Sequence, residues 1–301
     1  MAWFSFHGGH SGEFCRHATG TLEEVLEAAV VAGFTAYGVS EHAPRQRDED
    51  LSADEADLSA ADTRRTFRRY AEWARELSGR FADRLEVLVG FEAESVPPDS
   101  WPRVMRELRE SGPFDYVVGS VHHVAGWPID ESEDGYLAAA AALGGPRALE
   151  HGYFEELAEL VDTLRPEIVG HFDLVRWMQG RNPEFDRESW PAVERALQAV
   201  EASGALLDVN SAPVRKGLGP VYPMPAVLER ARGLGIRVTL GDDSHGPQQV
   251  GAALEQGLAA IAAAGYREVH CLRRREGAVA AEPVALGELV PRRGTARPAS
   301  G

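Results

Sequence analysis

A parallel α/β fold closed into a barrel is what the sequence predicts, and three observations predict it. Seven short apolar runs, rich in Val, Ile and aromatic residues, recur along the 301 residues. Segments with apolar residues at helical spacing alternate with them. A polar, chemistry-bearing residue follows almost every run at its carboxyl end. Runs that are apolar on both faces read as buried parallel strands. Strand alternating with helix means a parallel sheet, and seven such units favour a barrel over an open sheet.

The elements follow in order. Trp3-Phe4-Ser5-Phe6 is the first run, leading into His7 and His10 among glycines. A helix over 21–32 opens with Thr21 and Glu24, the spacing of a capping box, and stops at Gly33. The second run, 35–40, ends in Glu41-His42. Residues 46–62 are acidic and irregular, which predicts a surface loop or lid. A long amphipathic helix over 63–81 precedes the third run, 87–91, which ends in Glu92. The fourth run, 116–121, ends in His122-His123, and a helix over 153–164 leads to the fifth, 168–170, before His171. Helices over 190–203, 225–234 and 248–264 flank the sixth run, 206–209, ending at Asn210, and the seventh, 238–241, leading to Asp243 and His245. No internal repeat is visible. Residues 1–290 read as one domain, and 291–301, rich in Pro, Gly, Arg and Ser, as a disordered tail.

Composition bounds the function. With 44% hydrophobic residues the chain can bury a large core. A net charge of −16 argues against binding nucleic acid by bulk attraction. An anionic substrate therefore needs a locally positive site. Lys216 is the only lysine among 31 basic residues, a compositional bias. The two cysteines, Cys15 and Cys271, imply no disulfide framework. Neither a secretion signal nor a membrane-spanning run is apparent, so a cytoplasmic enzyme with a small-molecule partner is expected.

Six of the seven runs deliver a histidine or carboxylate at the carboxyl end. In a parallel barrel these ends converge on one face. Imidazoles gathered there without a cation would repel on protonation and be costly to desolvate. Imidazole nitrogen and carboxylate oxygen suit Zn, Mn or Fe(II). Nine candidates, His7, His10, His17, His42, Glu92, His122, His171, Asp243 and His245, are too many for one ion. Two or three divalent metal ions sharing a carboxylate fit the count. His151 and His270 lie off the pattern and read as structural; His123, Glu41 and Asp242 each adjoin a candidate ligand and read as supporting or core residues.

In this order and spacing, His7/His10, His17, Glu41-His42, Glu92 in "VGFEAE", His122 in "GSVHH", His171 in "GHFDL" and Asp243/His245 in "GDDSHG" resemble the PHP superfamily, named for polymerase and histidinol phosphatase. The resemblance spans about 4–290 and implies a distorted (β/α)7, TIM-like barrel with a two- or three-metal site at its C-terminal face. It is nearest to the stand-alone histidinol-phosphate phosphatases, through "SEHAPR", "VGHFDLVRW" and "LDVNSAPVRKG". One departure stands out: the usual His-x-His is His7-Gly8-Gly9-His10, so His7 must reach a metal from one residue earlier. Two glycines permit an unusual backbone there.

The implied reaction is hydrolysis of L-histidinol phosphate to L-histidinol and phosphate, in histidine biosynthesis, by a metal-bridging hydroxide. The implied catalytic residues are Glu92 as bridging carboxylate, Asp243 as ligand and orienter, and His245 as ligand; His245 or His171 can instead protonate the leaving alkoxide. Arg176, five residues past His171, with Arg215, Lys216 and Arg45, are candidates to clamp phosphate. Glu94, Asp130 or Asp173 can meet the cationic groups of histidinol. Competing expectations are a phosphoesterase of the same superfamily acting on a nucleotide, an amidohydrolase or deaminase, and a non-catalytic metal-binding protein.

Overall fold

The computed structural model describes residues 3–179 and 184–289. The strands in chain order are β1 (Trp3–Ser5), β2 (Phe34–His42), β3 (Glu86–Glu94) and β4 (Tyr116–Ser120), a short antiparallel ribbon β5 (His123–Val124) with β6 (Trp127–Pro128), then β7 (Ile168–Val169), β8 (Leu206–Asn210) and β9 (Val238–Gly241), and a hairpin of β10 (Glu268–Arg275) with β11 (Ala278–Ala285). Among the described residues, seven strands form one sheet in the order β1-β2-β3-β4-β7-β8-β9, every neighbour parallel. The two edges meet. Phe6 N–H donates to Leu240 O (3.0 Å), and just beyond, Asp243 N–H donates to His7 O (2.8 Å) and His10 N–H to Ser244 O (3.0 Å). The sheet is thus a nearly closed barrel, with its buried core of Phe4, Phe6, Val39, Val89, Phe91, Val118, Ile168, Leu207 and Leu240.

Among the described residues the helices are α1 (Leu22–Ala32), α2 (Ala60–Phe81), α3 (Trp101–Ser111), α4 (Glu133–Leu143), α5 (Pro146–Leu164), α6 (Trp190–Ser203), α7 (Ala212–Lys216), α8 (Pro225–Gly233) and α9 (Leu254–Ala263). The capping box of α1 forms as its spacing predicts: Glu24 N–H donates to Thr21 Oγ1 (3.1 Å) and Thr21 N–H to Glu24 Oε2 (2.8 Å). Other boundaries differ from the sequence reading. Helix α2 starts three residues early because Ser59 and Asp62 build a second box. Helix α9 starts late, since Pro247–Gln249 is a 3-10 turn and Ala253 sits at φ 62°. Helix α5 begins at Pro146, a favoured first-turn residue. The acidic stretch 46–62 contains two 3-10 turns, Asp48–Asp50 and Ala53–Glu55, and contributes Ser52, Ala53 and Asp54 to a cleft wall. The β10–β11 hairpin was not expected. It lies outside the barrel, joined to it by Arg273–Glu86 (2.7 Å) and Arg274–Asp115 (2.5 Å) ion pairs. The tail read as disordered, 291–301, lies outside the described residues.

The barrel places the chemistry by strand alternation. On β3, Glu92 and Glu94 share a face; on β8, Asp208 and Asn210 do. Gly8 permits the turn after β1. Its φ is 133°, and a Cβ there would lie 2.5 Å from Asp242 Oδ1 and 2.7 Å from Ser244 N, so no other residue fits without strain.

Candidate metal centre

Glu92 lies at the focus of the strand ends and is 1% exposed. Its Oε1 is 3.0 Å from His7 Nε2, 3.1 Å from His171 Nε2 and 3.5 Å from His122 Nε2; its Oε2 is 3.1 Å from His42 Nδ1. Burial pushes the carboxyl upward, but His7, His122 and His42 outweigh it and hold the group well below the usual carboxylate range. His7 therefore reaches the focus despite its shifted position in the sequence. Its ring passes over Gly170, where a Cβ would be 2.7 Å from His7 Cε1.

A second focus lies beside the first. The His10 ring stacks between His42 (4.5 Å between centroids) and His245 (4.2 Å). Two charged imidazoles about 4 Å apart repel by roughly 4 kcal/mol at an effective dielectric of 20. Accordingly, burial and the neighbouring imidazoles depress both His10 and His245 well below the ordinary histidine value. Neutral imidazole is the form that ligates metals.

The donor set fits divalent cations. Three groups of side chains each bring their ligating atoms within 4.8 Å of one another: His7, Glu92 and His171; His42, Glu92 and His122; His10, Cys15, His42 and His245. The groups overlap at Glu92 and at His42, so they form one connected centre. Buried polar atoms within it have no hydrogen-bond partner, among them His10 Nε2 and both ring nitrogens of His42, although His42 Nδ1 lies close to Glu92. Protein hydrogen bonding thus leaves these donors unsatisfied, as a metal site requires. Two candidates, His171 (φ 22°) and Asp243 (φ 47°), hold the left-handed backbone region. Such strain costs about 1–3 kcal/mol per residue and clusters at functional sites.

The carboxylates also set a proton inventory. Burial lowers His122, but Asp130, Glu92 and Glu94 outweigh it and raise its pKa to about 9. At pH 7 the free imidazole is then protonated, whereas ligation needs it neutral. Zn2+ titrated into ion-free protein at pH 7 is expected to release at least one proton per chain, measured calorimetrically in buffers of different ionisation enthalpy. Affinity is expected to rise with pH towards 9. Uptake with no proton release would contradict this.

The other residues singled out from the sequence take distinct places. A cleft of about 610 Å³ opens over the centre, lined by His17, His42, Arg45, Glu92, His122, His123, Asp130, His171, Trp177, Arg215, Lys216, Tyr222, Asp243 and His245, among others. His17 is half exposed at its rim, 4.8 Å from the His245 ring, with Nδ1 2.9 Å from Asp54 Oδ2. Asp243 Oδ1 is 3.6 Å from His245 Nδ1. Arg45 faces the cleft already paired to Glu94 (2.6 Å) and Glu55 (3.4 Å). Arg215 donates to Asp243 O (2.7 Å), while its buried Nε has no partner. Arg176 is not among the lining residues. It is 1% exposed, with Nε on Asp173 Oδ2 (2.8 Å), Nη2 on Val221 O (2.6 Å) and its guanidinium stacked 4.5 Å from the Tyr222 ring centre. It therefore supports the wall from behind, and Asp173 is its partner there. Glu94 collects His42, His122 and His123 nitrogens at 3.5, 3.5 and 3.7 Å. Glu41 accepts from His10 Nδ1 (3.0 Å), and Asp242 is buried against Tyr37, Ser5 and the Gly251 N–H. His151 and His270 lie away from the cleft, as read from the sequence.

Sequence reasoning missed two residues. Asp208, fully buried, holds His7 Nδ1 at 2.7 Å and accepts from Asn210 Nδ2 (3.0 Å). A carboxylate behind a ligating histidine fixes its tautomer and orientation. The signal was present: Asp208 is an acid inside an apolar run, two residues from Asn210 on the same strand face. Cys15, for which the sequence implied only the absence of a disulfide framework, stands in one of the three groups.

Comparison with known proteins accords with this geometry. A PHP domain matches residues 8–212. The chain belongs to the PHP family. Within it, a Schizosaccharomyces pombe protein named "Probable histidinol-phosphatase" is 36% identical over 247 residues, covering 80% of each chain. The Saccharomyces cerevisiae protein named "Histidinol-phosphatase" is 27% identical, covering 83% of this chain and 85% of that one. Two solved structures share the fold. One from Listeria monocytogenes aligns with TM-score 0.73 at 24% identity, over 84% of this chain and 99% of its own. A histidinol phosphate phosphatase from Lactococcus lactis, complexed with Zn, L-histidinol and phosphate, aligns with TM-score 0.65 at 18% identity, over 89% and 95%. Among the described residues no helix is long and apolar enough to cross a membrane.

Proposed function

We propose that the chain is a metal-dependent phosphatase that hydrolyses L-histidinol phosphate to L-histidinol and phosphate. The observation that carries this reading is the connected centre: three ligand groups joined through Glu92 and His42 on the floor of a cleft that also presents Arg215 and Lys216. The curated relatives bear the same activity in their names, and the Lactococcus lactis relative was solved with Zn and both products.

We assign His7, His10, His42, Glu92, His122, His171, Asp243 and His245 as holders of two or three ions, with His17 joining at the rim. Zn, Mn and Fe all accept this set. When bound, such ions supply Lewis acidity, lowering the pKa of a water and neutralising charge on phosphoryl oxygens. The remaining roles belong to the chain. Glu92 bridges the two foci and balances their charge. Asp243, held well down in pKa because His245, His7 and Lys216 outweigh its burial, stays an acceptor throughout the working range. The unpartnered Arg215 Nε and the Lys216 ammonium meet phosphoryl oxygens. Leu174, Trp177 and Tyr222 give the organic group an apolar wall, and Asp130 and Glu131 supply negative charge for its ammonium. We take residues 1–290 as one domain of this kind, since the barrel draws strands from Trp3 through Gly241.

The test is a kcat/KM comparison between L-histidinol phosphate and nucleoside monophosphates on the metal-loaded protein. L-Histidinol phosphate is expected to be preferred; preference for a nucleotide would contradict the substrate assignment.

A further inference from the structure

Cys15 lies on the segment between β1 and α1, where Phe14 N–H (3.0 Å) and Cys15 N–H (2.8 Å) both donate to Ser11 O and fold the chain into a tight turn. The turn carries the thiol into the barrel mouth, 6% exposed. Its sulfur is within 4.8 Å of ligating nitrogens of His10, His42 and His245. Buried free cysteines usually behave as small hydrophobes among apolar neighbours. This one faces three imidazoles instead. Two of those rings, His10 (fully buried) and His42, have nitrogens with no hydrogen-bond partner. Burial and the Glu41 carboxylate push the free thiol up.

We propose that Cys15 is a thiolate ligand of the cation held by His10, His42 and His245, giving that position three nitrogen donors and one sulfur donor. The proposal rests on the metal-centre reading above. On binding, the thiol proton leaves to solvent and the sulfur lone pair goes to the cation; no oxidation occurs. One thiolate among three imidazoles suits a tetrahedral Zn site. It also biases this position against hard cations such as Mg2+ and Ca2+.

Cobalt(II) substitution of the full chain tests this directly. The chain has only two cysteines. Cys271 lies in β10, outside the barrel. A sulfur-to-cobalt charge-transfer band in the near ultraviolet is expected in the wild type and in Cys271→Ser, and is expected to vanish in Cys15→Ser while the visible cobalt bands persist. If Cys15→Ser fails to fold, the band in Cys271→Ser still assigns the sulfur, because one thiol remains. Stoichiometric cobalt with no such band overturns the thiolate and leaves the imidazole centre standing. Absence of cobalt binding overturns both. The band is read without substrate, so it is decided separately from phosphate release.

Discussion

Glu92→Gln is expected to lower kcat/KM for L-histidinol phosphate by at least about 10³-fold, equivalent to roughly 4 kcal/mol of transition-state stabilisation. The substitution keeps the shape of the side chain and removes its charge. Glu92 faces four imidazoles within 3.5 Å, three of them on one oxygen. A neutral amide leaves the ions of both foci without their shared counter-charge, so metal content falls together with rate. The melting temperature is expected to fall as well, since buried imidazoles lose their counter-charge. Steady-state kinetics with metal analysis on the same sample reads both effects. A variant within tenfold of wild type, with full metal content, would remove Glu92 from the centre of the mechanism.

Arg176→Ala is expected to act on stability before activity. Arg176 and Asp173 form an ion pair in which both side chains are at most 2% exposed. Removing one partner of such a pair leaves an uncompensated buried charge and typically costs about 3–5 kcal/mol. Asp173 would retain the Met224 N–H (2.8 Å), while its Oδ1 already lacks a partner. The stack on Tyr222 is lost as well. The melting temperature is expected to fall by several degrees, with KM nearly unchanged at temperatures where the variant stays folded. The opposite pattern, a large rise in KM with an unaltered melting temperature, would mean that Arg176 touches phosphate.

The contrast between these residues shows what the sequence could reveal. Strand ends were legible because a parallel strand buried on both faces is an uninterrupted apolar run, and the polar residue that stops it is placed by the barrel. Glu92, His122, His171 and His245 were singled out that way, and all four line the cleft. His7 was harder, since the Gly8-Gly9 insertion breaks the usual spacing; the structure resolves it through a backbone that only glycine adopts at position 8. Arg176 was misplaced because separation in sequence says nothing about which way a side chain turns. Asp173, three residues earlier, and the Val221 carbonyl, from a distant segment, captured it.

Helix α3 was lost although Trp101, Val104 and Met105 keep helical spacing on its buried face; other lost elements have weak periodicity. Helix α4, "EDGYLAAAAAL", is too uniformly alanine for its apolar face to stand out. Strand β10 carries three consecutive arginines, Arg273, Arg274 and Arg275, and reads as a solvated run; ion pairs to Glu86, Asp115 and Glu282 take up their charge. Cys15 has no periodic signature at all. Only the three-dimensional turn after β1 brings it beside imidazoles from β2 and from the segment after β9.

The central claim is that the strand ends meet to hold cations on which hydrolysis depends. Metal content and phosphate release from L-histidinol phosphate, measured on one sample before and after chelation, test it most directly. Two or three divalent ions per chain, loss of release on chelation and recovery on adding Zn2+, Mn2+ or Fe2+ are predicted. Undiminished release from ion-free protein would contradict the account.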